Sequence, residues 1–395
     1  MIARKILIVH PRLDVIGGAE LVALKILRWI LSNKNVDVVL LTLKPVEWER
    51  VERLSGMKLP TQRVRNVVVR CPLLPSQHDG RFTLLRHAFL HRKARRFASE
   101  CDLCISTSGE IDFHRRGFQY IHYPAFAAKD LLAKYLISGR PALLDRFKAA
   151  AFLYRTVVFL VSGDRIDGFR ANITAVNSEF MKDIVKESYN IESTVLYPAF
   201  DITSRDHGLP WEKRRFQFVA VGRIAPDKGY ALLLDVFAHL SRQFPEARFV
   251  ILGRRSDLKY EEILRKRVIA ESIPVTFEIN ADYEKVRCVL AESKFFVHAR
   301  EFEHFGIAVL EAAAAGCIPF VHNSGGQREI VPIPMLRYQH PQEVVSSVER
   351  ILNNPDIRDT VLMQMQNVVE GFKGDSFDDN LERLLSGVSS FEQKD

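Results

Sequence analysis

The chain has 395 residues, 47% of them apolar and 26% charged, a composition typical of globular rather than disordered proteins. At this length we expect two domains. We expect no signal peptide, because the first apolar run, Ile6 to Val9, is only as long as a strand. The longest apolar stretch, Ala149 to Gly163, is too short to span a bilayer. The five cysteines are scattered, so we expect reduced thiols and a cytoplasmic location.

The net charge of +8 is unevenly distributed along the chain. Residues 1–200 carry 31 Lys and Arg against 19 Asp and Glu, whereas residues 201–395 carry 25 against 29. The densest basic segment, Arg81 to Ala98, has six basic residues and no acidic one. Two interpretations stay open: a solvated basic helix, or a peripheral contact with a membrane surface or a lipid diphosphate.

Short apolar runs alternate with longer helical patterns throughout, which predicts an α/β fold built from parallel βα units. In the first half, a helix is predicted over Ala19 to Asn33. Strands are predicted there at Ile6 to Val9, Val36 to Leu43, Leu103 to Ser106, Gln119 to His122, Ile173 to Val176 and Thr194 to Tyr197.

A stretch rich in proline, glycine and charge, Tyr197 to Arg215, predicts a linker between domains 1–200 and 201–376. The pattern then restarts with a second set of strands and helices. Strands are predicted at Gln217 to Val221, Arg248 to Leu252, Val275 to Ile279, Phe295 to His298 and Ile318 to His322, and helices at Tyr230 to Phe244, Lys259 to Ala270, Tyr283 to Glu292 and Gly306 to Ala315. The fold class is therefore two doubly wound, Rossmann-like domains facing across a cleft, with ligands at the carboxyl ends of the strands.

The segment from Glu301 to Val331 contains two carboxylates eight residues apart, Glu303 and Glu311. A loop-to-helix transition lies between them, so one carboxylate lies at the mouth of the helix and the other about two turns along it. Rigidly held carboxylates accept hydrogen bonds from sugar hydroxyls. An exposed acidic face would be the alternative, but the helix is otherwise apolar.

The segment VGRIAPDKG, Val221 to Gly229, ends the first strand of the second domain. Arg223 and Lys228 flank a tight turn at that carboxyl edge, where they could neutralise a departing diphosphate. The chain has no Asp-x-Asp pair of the kind that holds a divalent ion against a diphosphate, so we expect no metal. Solvated side chains beside a turn remain the alternative interpretation.

Two weaker signals lie in the first half. Gly17 and Gly18 precede a predicted helix, and backbone N–H groups at such a position can approach an anion, although the spacing is not that of a dinucleotide-binding loop. His122 ends a predicted strand, where an imidazole could hydrogen-bond a sugar hydroxyl or stabilise developing charge. A helix start and a core histidine are the respective alternatives.

The four segments described above, taken in their order along the chain, resemble the GT-B retaining glycosyltransferases of family four. The E-x7-E signature of that family is matched by Glu303 and Glu311. Within that family, YIHYP, VLYPAFD, EHFGIAVLEAAAAG and HNSGG are similar to segments of the eukaryotic α-1,2-mannosyltransferases that extend dolichol-linked oligosaccharides. The resemblance covers His10 to Val331. The sequence departs from it at Gln327, where those relatives typically have proline. We also expect it to lack their membrane-anchoring N-terminal segment.

The resemblance implies a role for each matched residue. Glu303 would hold the donor sugar and Glu311 the nucleotide ribose, Arg223 and Lys228 would bind the diphosphate, and His122 would contact the sugar. Gly17 and Gly18 would support the phosphate or the acceptor. The donor site would also include Phe305, Gly306 and Ile307. A last helix, Phe377 to Phe391, would return to the first domain.

The expected reaction is metal-independent transfer of mannose from GDP-mannose to a lipid-linked or other glycan acceptor, with retention of configuration and no separate cofactor. Transfer from a UDP-sugar is one alternative. A sugar-nucleotide epimerase with the same donor pocket is another. A nucleic-acid or membrane-surface binding module would rest on the basic first half alone, and we expect no nucleic-acid partner.

Overall fold

In a computed structural model, the described residues are 4–71, 82–127, 148–198, 209–372 and 375–388. They divide into two compact units. The first unit contains the described residues up to 198 together with 375–388, and the second contains residues 209–372. Much of the predicted linker, residues 199–208, lies outside the described ranges.

The first unit alternates strands with helices. Its strands are β1 (Arg4–Val9), β2 (Val36–Thr42), β3 (Val64–Val68), β4 (Leu103–Ser106), β5 (Phe118–Ile121), β6 (Ile173–Val176) and β7 (Thr194–Val195). Its helices up to this point are α1 (Gly18–Ser32), α2 (Trp48–Ser55), α3 (Thr83–Ala98), α4 (Lys148–Ser162), α5 (Ile166–Ala171) and α6 (Glu179–Tyr189).

The second unit repeats this alternation. Its strands are β8 (Arg215–Ile224), β9 (Arg248–Arg255), β10 (Val275–Ile279), β11 (Ser293–His298), β12 (Ile318–His322) and β13 (Arg337–Tyr338). Its helices are α7 (Tyr230–Gln243), α8 (Leu258–Ala270), α9 (Tyr283–Glu292), α10 (Ile307–Ala314), α11 (Gln327–Ile330), α12 (Pro341–Asn353) and α13 (Pro355–Gly371). The chain then continues into α14 (Asp375–Ser386), which belongs to the first unit.

The first sheet has the order β3-β2-β1-β4-β5-β6-β7, and its described pairs are all parallel. Successive side chains of a strand point to opposite faces, so β1 contributes to two cores. Ile6 and Ile8 pack with α1 and α2, whereas Leu7 and Val9 pack with α3. A parallel sheet covered on both faces requires such continuously apolar strands.

Helix α14 completes the core on the α1 face of the first sheet. Phe377, Leu381 and Leu385 are almost completely buried there, in the same cluster as Ile6 and Ile8. The helix ends at Ser386, before the predicted Phe391, and residues 389–391 lie outside the described ranges. The last described helix therefore packs into the first unit's core.

The second sheet has the order β10-β9-β8-β11-β12-β13, again with parallel pairs. Phenylalanines from neighbouring strands stack across one face of it. The ring of Phe218 lies 5.3 Å from that of Phe249 and 4.9 Å from that of Phe295, with interplanar angles of 10° and 15°. These fully buried rings pack the core at the centre of the sheet.

The predicted α/β class with two doubly wound parallel sheets is confirmed. Four predicted strands, β4, β6, β10 and β12, and the helix α9 agree with the structure at both ends. The last helix, α14, was expected from the resemblance, but two strands and seven helices were not predicted: β3, β13, α2, α4, α5, α6, α11, α12 and α13. Among the described residues, no helix is both long enough and apolar enough to cross a membrane.

Removing buried volume from α14 should destabilise the first unit. For Leu381→Ala, we expect the free energy of unfolding to fall by about 2–5 kcal/mol, because a fully buried leucine leaves a cavity. Urea denaturation followed by fluorescence of a Trp211→Phe variant, which retains Trp29 and Trp48 in the first unit, measures the change.

The matched control is Leu258→Ala in α8, because the Leu258 side chain is 65% exposed and should cost less than about 0.5 kcal/mol. Equal, small losses in both variants would contradict the place of α14 in the first core.

Candidate active site

In both sheets the strand order reverses next to the first strand of the unit, between β1 and β4 and between β8 and β11. In doubly wound folds, ligands bind outside the carboxyl ends of the strands at this point. The segments after β8 and β11 carry Lys228 and Glu303. The segments after β1 and β4 carry His10 and Thr107. Each unit therefore has polar side chains at its own reversal point.

The carboxylate of Glu303 is the centre of the second unit's cluster, and the residue is only 7% exposed. Its Oε2 lies 3.0 Å from Lys228 Nζ and 3.4 Å from His298 Nε2. Its Oε1 accepts hydrogen bonds from Arg300 Nη1 at 3.1 Å and from the backbone N–H of His304 at 3.0 Å. Both oxygens are thus bonded by donors that favour the ionised form.

Burial alone would raise the pKa of Glu303, since a charged carboxylate loses hydration in the interior. The charges of Lys228 and Arg300 outweigh that effect and hold the pKa well below its ordinary value. Glu303 is therefore ionised throughout the physiological range. With Lys228 and Arg300 both cationic, the cluster has more positive than negative charge.

Two glycines allow the backbone segments of this cluster to approach one another. Gly229 has a φ of +69°, and a Cβ there would lie 2.3 Å from the carbonyl oxygen of Ala299. Gly325 has a φ of +71°, and a Cβ there would lie 2.4 Å from the carbonyl oxygen of Glu303. No side chain fits at either position, so glycine is required to bring Lys228 next to the carboxylate.

Gln327 connects the ends of β11 and β12 beneath the cluster and is fully buried. Its Nε2 donates to the carbonyl oxygens of Arg300, His322 and Ser324 at 3.0, 2.8 and 3.1 Å. Its Oε1 consequently faces His298 Nδ1 at 2.8 Å, so that nitrogen carries the hydrogen. This arrangement fixes the imidazole with its other nitrogen towards the buried carboxylate.

The other residues predicted for the donor site lie near this cluster, but not all of them contact it. Arg223 pairs with Asp227 at 3.2 Å, and both side chains are 42% exposed. Glu311 is half-buried and is the fifth residue of α10. Phe305 is buried, Gly306 precedes α10 with a φ of +108°, and Ile307 begins that helix. Of the predicted residues, Lys228 contacts Glu303 directly, whereas Arg223 forms its ion pair with Asp227.

The first unit has a second polar cluster at its own reversal point. His10 Nδ1 lies 2.9 Å from Thr107 Oγ1, and His10 Nε2 lies 3.9 Å from Glu20 Oε1. The other oxygen of Glu20 accepts a hydrogen bond from the backbone N–H of Gly17 at 2.8 Å. Gly18 then begins α1. Burial is the largest single effect on the pKa of Glu20 and raises it, but the interaction with His10 and the backbone N–H groups of Gly17 and Glu20 together outweigh burial, so the net shift is downward.

His122 follows β5 directly, as predicted for the end of a strand. Its Nε2 is buried and has no hydrogen-bond partner among the described residues. Burial lowers the pKa of His122 to about 4, with the nearby His10 contributing in the same direction. The ring lies 4.6 Å from that of Tyr120. His122 is therefore a neutral imidazole with one nitrogen available to a ligand hydroxyl.

Five residues of these clusters were not predicted from the sequence: His10, Glu20, Thr107, His298 and Arg300. A signal existed for the two histidines, since each ends or directly follows a strand next to the reversal point, the criterion that identified His122. Arg300 and Thr107 carry no comparable signal, because their contacts depend on how loops from separate strands meet.

Comparison with known proteins finds a family match in the second unit. Residues 201–359 match the family described as "Glycosyl transferases group 1". We call the matched residues the group 1 domain. The group 1 domain contains Lys228, Glu303, Glu311 and the whole charged cluster described above.

The chain is 27% identical over 239 residues to a Xenopus laevis protein named GDP-Man:Man(3)GlcNAc(2)-PP-Dol alpha-1,2-mannosyltransferase, covering 54% of this chain and 48% of the relative. A Dictyostelium discoideum protein of the same name is 25% identical over 235 residues, covering 53% and 46%. The similarity noted in the sequence is thus confirmed. The chain spans about half the length of these curated relatives.

Among solved structures, Anabaena HepE in complex with UDP and glucose matches 97% of this chain and 99% of its own, with a TM-score of 0.68 and 16% identity. At this identity the similarity concerns the fold alone. It extends over both units and confirms the predicted GT-B class.

Gly229→Ala should destabilise the group 1 domain. An added Cβ would clash with the carbonyl of Ala299 in a left-handed backbone conformation, so we expect a loss of more than about 2 kcal/mol in the free energy of unfolding. Urea denaturation monitored by the fluorescence of Trp211, which lies in this unit, measures it.

Gly371→Ala, at the end of α13, is the matched control, because a Cβ there meets nothing within 4 Å. It should be neutral or stabilising by up to about 1 kcal/mol. Similar losses in the two variants would contradict the close approach at Gly229.

Acidification should destabilise the first unit through two partly buried histidines, His122 and His87. The unfolded chain protonates His122 and His87 near the ordinary pKa of 6.5, whereas in the folded chain burial lowers these pKa values to about 4 and about 3. The unfolded state therefore binds more protons as the pH falls below 6.5, and each histidine removes about 2 kcal/mol of stability between about pH 7 and about pH 5. His122→Asn should reduce that loss by about 2 kcal/mol in urea denaturation over this range; an unaltered pH dependence would count against the burial of His122.

Proposed function

We propose that this chain is a retaining glycosyltransferase that moves mannose from GDP-mannose to a lipid-linked saccharide. One observation carries the proposal: a buried carboxylate, Glu303, held by Lys228 and Arg300 at the reversal point of a group 1 domain. The names of the curated relatives support the choice of GDP-mannose and of a lipid-linked acceptor.

The cluster suits a nucleoside diphosphate sugar by its charge. Glu303 contributes one negative charge, and Lys228 and Arg300 contribute two positive ones, so the cluster attracts a diphosphate. Lys228 lies at the surface of the cluster with 20% of its side chain exposed, and it can bind a phosphate while Arg300 continues to hold the carboxylate. Arg223, whose partner Asp227 is half-exposed, adds a third cation.

The start of α10 adds binding groups for the nucleotide side of the donor. Gly306 and Ile307 present backbone N–H groups at a helix N-terminus, which favours phosphate oxygens. Phe305 is buried beneath this turn and keeps it in place. Glu311, one turn along α10, would accept hydrogen bonds from the ribose hydroxyls.

The proposed reaction breaks the bond between the anomeric carbon and the diphosphate oxygen and forms a new bond to the acceptor oxygen on the same face of the sugar. The acceptor proton goes to the departing phosphate oxygen. Lys228, Arg223 and Arg300 stabilise the negative charge on the leaving group, the task for which other transferases use a divalent ion. Glu303 orients the sugar hydroxyls, so neither an enzyme nucleophile nor a cofactor is required.

We assign the first unit's cluster to recognition of the transferred sugar and the acceptor. His122 is neutral, so it acts as a hydrogen-bonding group for a sugar hydroxyl rather than as a fixed positive charge. Gly17 and Gly18, at the start of α1, would support a phosphate or acceptor group. A lipid-linked acceptor also requires contact with a membrane surface, which we assign to the basic first unit on the cytoplasmic side.

Loss of either member of the central ion pair should abolish transfer while the fold survives. For Lys228→Ala and Glu303→Gln, we expect kcat to fall by about 100-fold or more, because stabilisation of the leaving group or orientation of the sugar is lost. The measurement is transfer of radiolabelled mannose from GDP-mannose to a short lipid-linked saccharide, with the anomeric configuration of the product determined by NMR.

The matched controls are Lys266→Ala and Glu262→Gln, which break an exposed Lys–Glu pair of 2.8 Å in the same unit and should leave kcat unchanged. Calorimetric titration with GDP, UDP and ADP tests which nucleotide base the site prefers. Tighter binding of UDP would indicate that the donor is a UDP-sugar and not GDP-mannose. Full activity in the Lys228 and Glu303 variants would refute the proposal, and an epimerised nucleotide sugar formed from the donor alone would indicate an isomerase instead.

A further inference from the structure

Helix α4 exposes an apolar face to solvent. Phe152, Leu153, Val157 and Leu160 are 75%, 64%, 38% and 72% exposed. At 100° per residue, these positions lie within one arc of about 140° around the helix. Large apolar side chains grouped in this way on a surface indicate a site of contact with another apolar phase.

The opposite face of α4 is fixed to the first unit by specific bonds, so the orientation of the helix is determined. Tyr154 Oη accepts a hydrogen bond from the backbone N–H of Leu85 at 3.3 Å. Arg155 donates to the carbonyl oxygens of Phe126, at 2.6 Å, and of Ala127. The helix therefore holds Tyr154 and Arg155 inward beside the buried Val158, and it leaves large apolar side chains on the outward face, where an ordinary surface helix is polar.

Basic side chains border this apolar face. Helix α3 packs beside α4 and contains no acidic residue. On α3, Arg92 is exposed and donates to the carbonyl oxygen of Val161 at 3.4 Å, at the end of α4. Arg165 follows α4 with 69% of its side chain exposed, and its Nε also lies 3.2 Å from the buried carboxylate of Asp112. The exposed Asp167 nearby pairs with Arg170 at 3.0 Å. Asp164, which precedes Arg165, has a fully buried side chain bonded to Arg95.

We propose that α4 lies in the interface of an anionic lipid bilayer, with its apolar face (Phe152, Leu153, Val157 and Leu160) inserted to the depth of the headgroups. Arg92 and Arg165 would bind the lipid phosphates. This inference extends the proposed function, because it specifies the surface through which the first unit reaches a lipid-linked acceptor. The helix lies on the membrane and does not cross it.

Charge favours a bilayer over a second copy of this chain as the occupant. Two copies joined through α4 would bring the basic borders of both helices together, which costs energy through like-charge repulsion. An anionic lipid surface instead supplies an apolar phase and opposite charge at the same time. A single helix face also covers little area compared with the roughly 800 Å² per partner of a stable protein interface.

The test is co-sedimentation of the full-length chain with vesicles of phosphatidylcholine, with and without phosphatidylglycerol. We expect binding to the anionic vesicles, weakened at high salt. The double variant Phe152→Asp/Leu160→Asp should bind at least about tenfold more weakly, because two charges replace the inserted side chains. Arg92→Gln should reduce the preference for phosphatidylglycerol while retaining part of the binding.

The matched control is Ile263→Asp/Ile269→Asp in α8, whose side chains are 60% and 78% exposed in the second unit. These isoleucines share their surface with the exposed Glu262 and Lys266, so the control should bind vesicles like the unaltered chain. Thermal unfolding of every variant should match that of the unaltered chain, since all five substituted positions are exposed.

Transfer to a water-soluble acceptor analogue separates this inference from the proposed function. The α4 double variant should retain that activity and lose only vesicle binding. Equal vesicle binding by the unaltered chain and the α4 variant would overturn the membrane assignment, whatever the activity. A dimer in light scattering that the α4 substitutions dissociate would also overturn it, in favour of a second copy of the chain.

Discussion

The buried ion pair between Lys228 and Glu303 is the interaction on which the second unit's site depends. A carboxylate that is 7% exposed stays ionised only where cations compensate its lost hydration, and Lys228 and Arg300 do so at 3.0 and 3.1 Å. Removing either partner would leave the other charge buried. To bring Lys228 this close to Glu303, the backbone at position 229 must approach the carbonyl of Ala299. No side chain fits there, so Gly229 must be glycine.

Each unit has a cluster of polar side chains where the strand order of its sheet reverses, but the two clusters differ in chemistry. The second unit gathers permanent charges, which suit a diphosphate. The first gathers His10, Thr107 and His122, groups that are neutral or hydrogen-bonded and suit hydroxyls. This difference follows from burial, because burial keeps His122 unprotonated, whereas Glu303 is buried together with its cations.

Alternation of apolar runs with helical patterns was enough to predict the two parallel sheets, because strands covered on both faces must be apolar along their whole length. It missed β3, where the edge strand Val64–Val68 is partly exposed and includes Arg65 and Asn66. Residue type and turn spacing predicted Glu303 and Lys228. They could not predict the hydrogen bond between His298 and Gln327, which are 29 residues apart, because it depends on the register of the sheet.

The return of α14 to the first core has a consequence for biosynthesis. A ribosome releases the second unit in one continuous stretch, residues 209–372, so that core can close as soon as its own residues have emerged. The first core lacks Phe377, Leu381 and Leu385 until these residues have emerged after the second unit. The α1 face of the first sheet therefore remains incompletely covered while the second unit folds.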